Sequence, residues 1–232
     1  MIRWLRPDDA FPPAREALAE PNGLLAAGGD LSVPRLVAAY RSGIFPWFSA
    51  GQPILWWSPD PRMVLFPREV TVTRSLDKVL RNCTYAVRAD TSFRAVIEAC
   101  AEPRQDQAGT WISDEMIAAY CNLHECGLAH SVETWIDGEL AGGLYGVALG
   151  RMFYGESMFT RVADASKIAL VHLARQLARW QFGMLDCQMP TTHLASLGAR
   201  EIPRADFMRN LLELVNYPEI TGRWELDLDL AQ

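Results

Sequence analysis

The sequence predicts an α+β protein with a small N-terminal domain, residues 1–62, and a larger mixed-sheet domain, residues 63–232. Three observations predict it. Residues 43–62, GIFPWFSAGQPILWWSPDPR, carry three tryptophans and two phenylalanines among four prolines. Those prolines break any helical period, so the aromatics must sit on turns and short extended pieces, and PDPR marks a boundary near residue 62. HSVETWI and ELAGGLYGVAL are alternating runs joined by Asp137-Gly138, and Gly150-Arg151 leads on into MFYGESMF. Asp-Gly between such runs is a tight-hairpin signal, so the three runs predict a meander. Finally, a helical stretch with Ala169, Leu170, Leu173, Leu177 and Trp180 along one side separates the meander from the strand GMLDCQM, which implies a helix packed on a mixed sheet. Such an order also suits an acetyltransferase-like arrangement.

The remaining elements follow in chain order. AREALAEP reads as a short helix ended by Pro21, and NGLLAAGGD as a glycine-punctuated turn or strand. LSVPRLVAAYRSG is a helix with Ser32 as N-cap, Pro34 in its first turn and Gly43 past its end. MVLFP and EVTVTR read as strands, SLDKVLRNC as a helix and TYAVRAD as a strand. SFRAVIEACAE is an amphipathic helix with Phe93, Val96, Ile97 and Cys100 on one side, and the polar loop PRQDQAGT delivers Trp111. In SDEMIAAYCNLHECG, Ser113 caps, Gly127 stops, and Met116, Ala119, Tyr120 and Leu123 form an apolar stripe. Asp164 or Ser166 caps the crossover helix, and RADFMRNLLELV is the last helix.

The chain has 232 residues, half of them hydrophobic, enough for a substantial core. No apolar run reaches the length of a membrane span, and the charged, proline-rich start leaves no room for a signal-peptide core, so the sequence predicts a cytoplasmic protein without a membrane partner. Five scattered cysteines predict reduced thiols. The formal charge of -6 argues against a protein coated in nucleic acid, but it is uneven. Residues 62–88 hold six basic side chains against two acidic, a local +4, while the remainder holds 16 basic against 26 acidic, or -10. Such asymmetry permits a phosphate-facing surface on an acidic body, although an ordinary solvated face reads the same way.

The candidate sites differ in weight. CNLHECGLAH fails as a metal site, because a helix turns about 100° per residue and cannot bring Cys121, His124, Cys126 and His130 to one ion. GESMF lacks the form of a nucleophile elbow. The turn SMFTRVADASK has no glycine with which to hold the pyrophosphate of CoA, which counts against an acetyl-CoA enzyme. In GMLDCQM, strand alternation predicts that Asp186 and Gln188 share a face while Cys187 points away, with Glu156 of the neighbouring strand in reach. From the residues alone, a polar surface patch and a reactive site both remain open.

Taken together, FPP, EPNGLLAAGGDLS, AYRSGIFPWFS, PILWWSPDPR, GTWIS, AYCNLHECGLAHSVE, GGLYGV, GESMF, ASKIAL, LDCQ and HLASLGAREIPR occur in an order that resembles the bacterial leucyl/phenylalanyl-tRNA-protein transferases, from about Phe11 to about Phe207. The resemblance implies an enzyme that moves leucine or phenylalanine, with methionine as an additional donor, from aminoacyl-tRNA onto an N-terminal lysine or arginine. The modified protein is thereby marked for degradation under the N-end rule. It implies a GCN5-related-acetyltransferase-like second domain, no cofactor, no metal, a monomer, and leucyl-tRNA, phenylalanyl-tRNA and acceptor proteins as partners.

The resemblance also implies roles for residues. Asp186 and Gln188 form the catalytic pair, in which Asp186 orients an amide whose carbonyl accepts from the attacking amine. Glu156 binds the cationic acceptor terminus, and Trp47 and Trp111 surround the terminal adenosine. The aminoacyl pocket falls on Leu144, Met158, Leu173 and Leu177, where the family carries methionine at the first position and phenylalanine at the last two. Trp56 and Trp57 are expected to lock the two domains together. Phosphate contacts are expected from the basic stretch, at Arg62, Arg68, Arg74, Lys78 and Arg81.

Overall fold

The computed structural model describes residues 2–103, 110–227 and 229, and their strands form two sheets. In the first, β1 (Arg3–Leu5) runs parallel to β2 (Leu24–Gly28), which pairs antiparallel with β4 (Leu55–Trp57), and β4 pairs with β3 (Phe45–Pro46). Helix α1 (Val33–Arg41) begins after Ser32 with proline in its first turn, as the sequence predicts, although the Ser32 side chain makes no capping bond. The predicted helix in AREALAEP shrinks to a single 3₁₀ turn over Ala14–Glu16.

The larger sheet has the order β11-β5-β10-β9-β8-β7-β6. Its first strand in the chain, β5 (Arg62–Leu65), starts at the last residue of PDPR. The predicted strand EVTVTR does not form, because Pro67 opens a 3₁₀ turn, Pro67–Glu69, and the chain then runs to Thr73, whose hydroxyl caps α2 (Arg74–Asn82). After β6 (Ala86–Ala89) come α3 (Phe93–Ala101) and α4 (Asp114–Glu125), the latter capped by the Ser113 hydroxyl. Most of the loop predicted before Trp111 lies outside the described residues. The meander is β7 (Ala129–Ile136), β8 (Glu139–Leu149) and β9 (Met152–Thr160), with Asp137 and Gly138 both at positive φ in the turn the sequence called for. Then follow α5 (Ala165–Arg179), β10 (Met184–Gln188), α6 (Thr192–Ser196), β11 (Arg200–Ile202) and α7 (Arg204–Leu214). Strand β10 is parallel to β9 and antiparallel to β5, so the sheet is mixed and the fold α+β.

Alternation along β8 sends Tyr145, Val147 and Leu149 to one face, toward α3 and α4, and Leu144 and Ala148 to the other, toward α5. The first of these clusters does not stop at the larger sheet. It continues through Tyr40, Ile44, Phe45 and Trp56, so both sheets share one core. Trp56 is fully buried, donates its indole N–H to the Gly28 carbonyl at 2.8 Å and packs edge-on against Phe11. Its direct contacts therefore stiffen the smaller sheet. No described helix is long and apolar enough to cross a membrane.

Candidate active site

Where β9 and β10 stop following regular alternation, a site opens. Their parallel register runs to Tyr154 opposite Asp186. In β9, Ser157 pairs with Tyr145 and Gly155 with Gly146, so Glu156 is an extra residue with no cross-strand partner. A bulge of this kind re-aims the side chain it carries. Gly146 is what lets the chains approach there, since a Cβ at that position would lie 2.2 Å from the Tyr154 carbonyl oxygen. In β10 the register against β5 also slips, Asp186 opposite Val64 and Gln188 opposite Met63, and Gln188 takes a left-handed backbone at φ 63°.

These two irregularities bring Glu156 and Gln188 together: the Gln188 amide Nε2 donates to Glu156 Oε1 at 2.9 Å. The other carboxylate oxygen, Oε2, accepts from the Tyr120 hydroxyl at 2.8 Å, and that hydroxyl shares a hydrogen bond with the hydroxyl of Tyr40. Glu156 is 8% exposed and has no cationic partner among the described residues. Burial raises its pKa, the Tyr120, Tyr40 and Gln188 donors lower it, and the balance leaves it at about 7. Tyr40 and Tyr120 are pushed well above the usual phenol range, chiefly by burial, so both stay protonated.

Asp186 is differently placed, and here two expectations are corrected. Strand alternation does not put Asp186 and Gln188 on one face, because the bulge intervenes. Cys187 and Gln188 line the cavity, while Asp186 is fully buried and does not line it. Its two oxygens accept from Arg62 Nε at 2.8 Å and Nη2 at 2.7 Å. Asp186 Oδ1 also accepts from the Gln188 backbone N–H at 2.9 Å. Asp186 therefore bonds the left-handed backbone of Gln188, not its side-chain amide. Arg62 leaves the list of phosphate contacts for the same reason: it is 1% exposed, and its guanidinium lies between the rings of Phe45 and Phe207, at 4.7 and 4.6 Å. The Cys187 thiol is raised far above its ordinary pKa, first by burial and then by Asp186, which makes it a poor nucleophile.

The cavity beside Gln188 has a volume of about 560 Å³, within the range of small-molecule sites. Trp47 and Trp111 both line it, with Trp47 42% exposed at the mouth, where its ring meets Trp57 at 5.5 Å. The Trp57 indole donates to the Trp47 carbonyl at 2.6 Å. Leu144, Met158 and Leu173 line the interior. Leu177 does not: it lies one helical turn beyond Leu173, fully buried in the α5 core, and Leu170 on the preceding turn faces the cavity instead. Tyr40 and Tyr120 were missed as site residues because they occupy apolar helix positions. The available signal was that a buried tyrosine needs a partner for its hydroxyl where leucine would not.

Arg68, Arg74, Lys78 and Arg81 are exposed on the 3₁₀ turn and α2, away from the cavity lining, with Arg81 paired to Asp77. No group of three or more His, Cys, Asp or Glu side chains among the described residues is arranged to hold a metal ion.

Comparison with known proteins supplies a family. Residues 64–212 match the model described as leucyl/phenylalanyl-tRNA protein transferase, and residues 29–60 match that of its N-terminal domain. The leucyl/phenylalanyl-tRNA–protein transferase of Nitrosospira multiformis is 66% identical over 227 residues, covering 98% of each chain. That of Nitrosomonas europaea is 65% identical over 227 residues, covering 98% of this chain and 96% of its own. Among solved structures, a GCN5-related N-acetyltransferase from Kribbella flavida aligns with 71% of this chain and 59% of its own at 10% identity and a TM-score of 0.34.

Proposed function

The chain belongs to the leucyl/phenylalanyl-tRNA–protein transferase family, and from that premise we propose that Gln188 and Glu156 join the aminoacyl group of leucyl- or phenylalanyl-tRNA, or of methionyl-tRNA, to an N-terminal lysine or arginine. The observation that carries this reading is the Gln188 amide, anchored through its N–H to Glu156 at the wall of an apolar cavity. With the nitrogen so engaged, the carbonyl oxygen is the end left to accept a hydrogen bond.

The chemistry asks little more. An aminoacyl ester is already activated, and an α-amine of pKa about 8 is partly neutral near pH 7. The amine nitrogen bonds to the ester carbonyl carbon, the bond from that carbon to the ribose 3′ oxygen breaks, and one proton passes from nitrogen to the departing oxygen. The Gln188 carbonyl stabilises the N–H as positive charge develops on nitrogen, and the neighbouring ribose 2′ hydroxyl carries the proton. Asp186 acts through the backbone of Gln188. Glu156 supplies the negative charge for a cationic acceptor end. Trp47 and Trp111 hold the terminal adenosine between aromatic faces. Leu144, Met158, Leu170 and Leu173 receive the donor side chain.

Arg68, Arg74, Lys78 and Arg81 are the surface proposed for acceptor-stem phosphates, so apparent tRNA affinity falls with added salt. In this reading the enzyme works as a monomer in the cytoplasm and labels proteins for degradation. Incubation with labelled phenylalanyl-tRNA and a peptide beginning with arginine is expected to yield the extended peptide, with little product from one beginning with aspartate. Gln188→Ala should slow the reaction by at least 100-fold (about 3 kcal/mol of transition-state stabilisation). Equal labelling of both peptides, or undiminished transfer by Gln188→Ala, would sink the reading.

A further inference from the structure

We propose that Tyr120 and Tyr40 are positioning residues of the transfer reaction: their hydroxyls fix one oxygen of Glu156 so that the other holds the Gln188 amide with its carbonyl toward the incoming amine. The inference rests on the role given to Gln188 above. A carboxylate can accept the Gln188 N–H only if it is itself held, and its outer anchor is the Tyr120 hydroxyl at 2.8 Å. Tyr40 backs Tyr120 from α1, and its own main-chain carbonyl accepts from the Tyr154 hydroxyl at 2.9 Å. The chain of contacts thus begins in the N-terminal part of the protein and ends on the reacting group. All three tyrosines are at most 1% exposed, so water cannot substitute for a missing hydroxyl.

The groups packed around Glu156 are Tyr40 from α1, Tyr120 from α4, Tyr145 from β8, and Asp186 and Gln188 from β10, with Arg62 of β5 beyond Asp186. Each hydroxyl donor favours the ionised carboxylate, while burial and the Asp186 charge favour the neutral one. Removing a donor therefore moves Glu156 ionisation to higher pH, and the ionised form is the one that accepts more strongly from the Gln188 amide.

The test is the pH dependence of kcat/KM for a peptide acceptor with Tyr120→Phe. Its rising limb should move up by about one pH unit, which is about a tenfold loss below neutrality. The loss should be under about threefold at pH 9, with the KM for aminoacyl-tRNA unchanged. Tyr40→Phe, one bond further away, should shift the limb in the same direction by less, and serves if Tyr120→Phe does not fold. In Glu156→Gln the limb that moves should vanish, leaving only the titration of the acceptor amine. A folded variant whose limb stays at the wild-type pH, or whose loss is equal at every pH, overturns the proposal. Carbon-13 titration of the Glu156 carboxyl in the same variants reads the displacement without turnover. A wild type that transfers nothing would thus overturn the functional reading, while an unshifted carboxyl would overturn this one.

Discussion

Two carboxyl groups lie buried on neighbouring strands at one end of the larger sheet, and they are compensated in opposite ways. Asp186 meets a cation in bidentate geometry, and that cation is itself packed between two aromatic rings. Glu156 meets only neutral donors, the Tyr120 hydroxyl and the Gln188 amide, with the Tyr40 hydroxyl behind Tyr120. A buried ion pair tolerates little change, because removing either partner strands the other charge in a poor solvent. Neutral donors offset part of the cost of burial, and the group is left balanced between its protonation states near pH 7. The contrast separates a charge that shapes the backbone from one that faces the cavity, although the two residues look alike in the sequence.

The sharpest way to break this contrast is Arg62→Leu. It should destabilise the protein by about 3–5 kcal/mol in urea unfolding, because buried Asp186 loses the partner that both its oxygens accept from. A loss below about 1 kcal/mol would show that the ion pair carries no special burden. Glu156→Gln should act in the opposite sense, and increasingly as pH rises from the unfolded pKa toward the folded one. The unfolded carboxyl ionises near 4.5 and the folded one near about 7, so the folded state binds the extra proton in between, and wild-type stability falls as pH rises through that window. The whole fall is about 3 kcal/mol. Glutamine abolishes it, so the curves of the two proteins against pH should separate between pH 5 and 7. Parallel curves would refute the assignment.

Phe45→Leu, which removes one of the two rings flanking Arg62, should cost about 1 kcal/mol beyond its lost packing, measured as a lower Tm. The smallest net effect is expected from Arg62→Leu combined with Asp186→Leu. Replacing both charges should restore stability to within about 1–2 kcal/mol of wild type, while activity stays low because Gln188 has lost its backbone anchor. Stability that remains at the single-mutant level would mean the strand needs the ion pair for its geometry.

What the sequence made legible was local. Asp137-Gly138 between alternating runs identified the hairpin because the turn chemistry demands it, and Ser113 identified the start of α4 because its hydroxyl caps that helix. Alternation failed at LDCQ because the segment carries a bulge, and a bulge depends on the neighbouring strand, whereas the reach of Glu156 in GESMF toward Gln188 held. The reassignment of Arg62 could not be read from its surroundings in the chain, since its partner is 124 residues away. It looked like one more basic residue in a basic stretch. Leu177 failed more simply, because helical periodicity gives the apolar side of α5 but not where along it the cavity ends. The hydroxyl pair of Tyr40 and Tyr120 joins helices 80 residues apart, and each tyrosine alone reads as core.

The left-handed backbone at Gln188 places a costly conformation at the position proposed to meet the amine. Glycine would relieve about 1 kcal/mol of conformational cost there and would leave the cavity walls and rim tryptophans in place. On the function proposed above, Gln188→Gly is therefore the substitution of choice for an inert bait: a protein expected to fold and to keep its cavity, but without the carbonyl proposed to meet the amine.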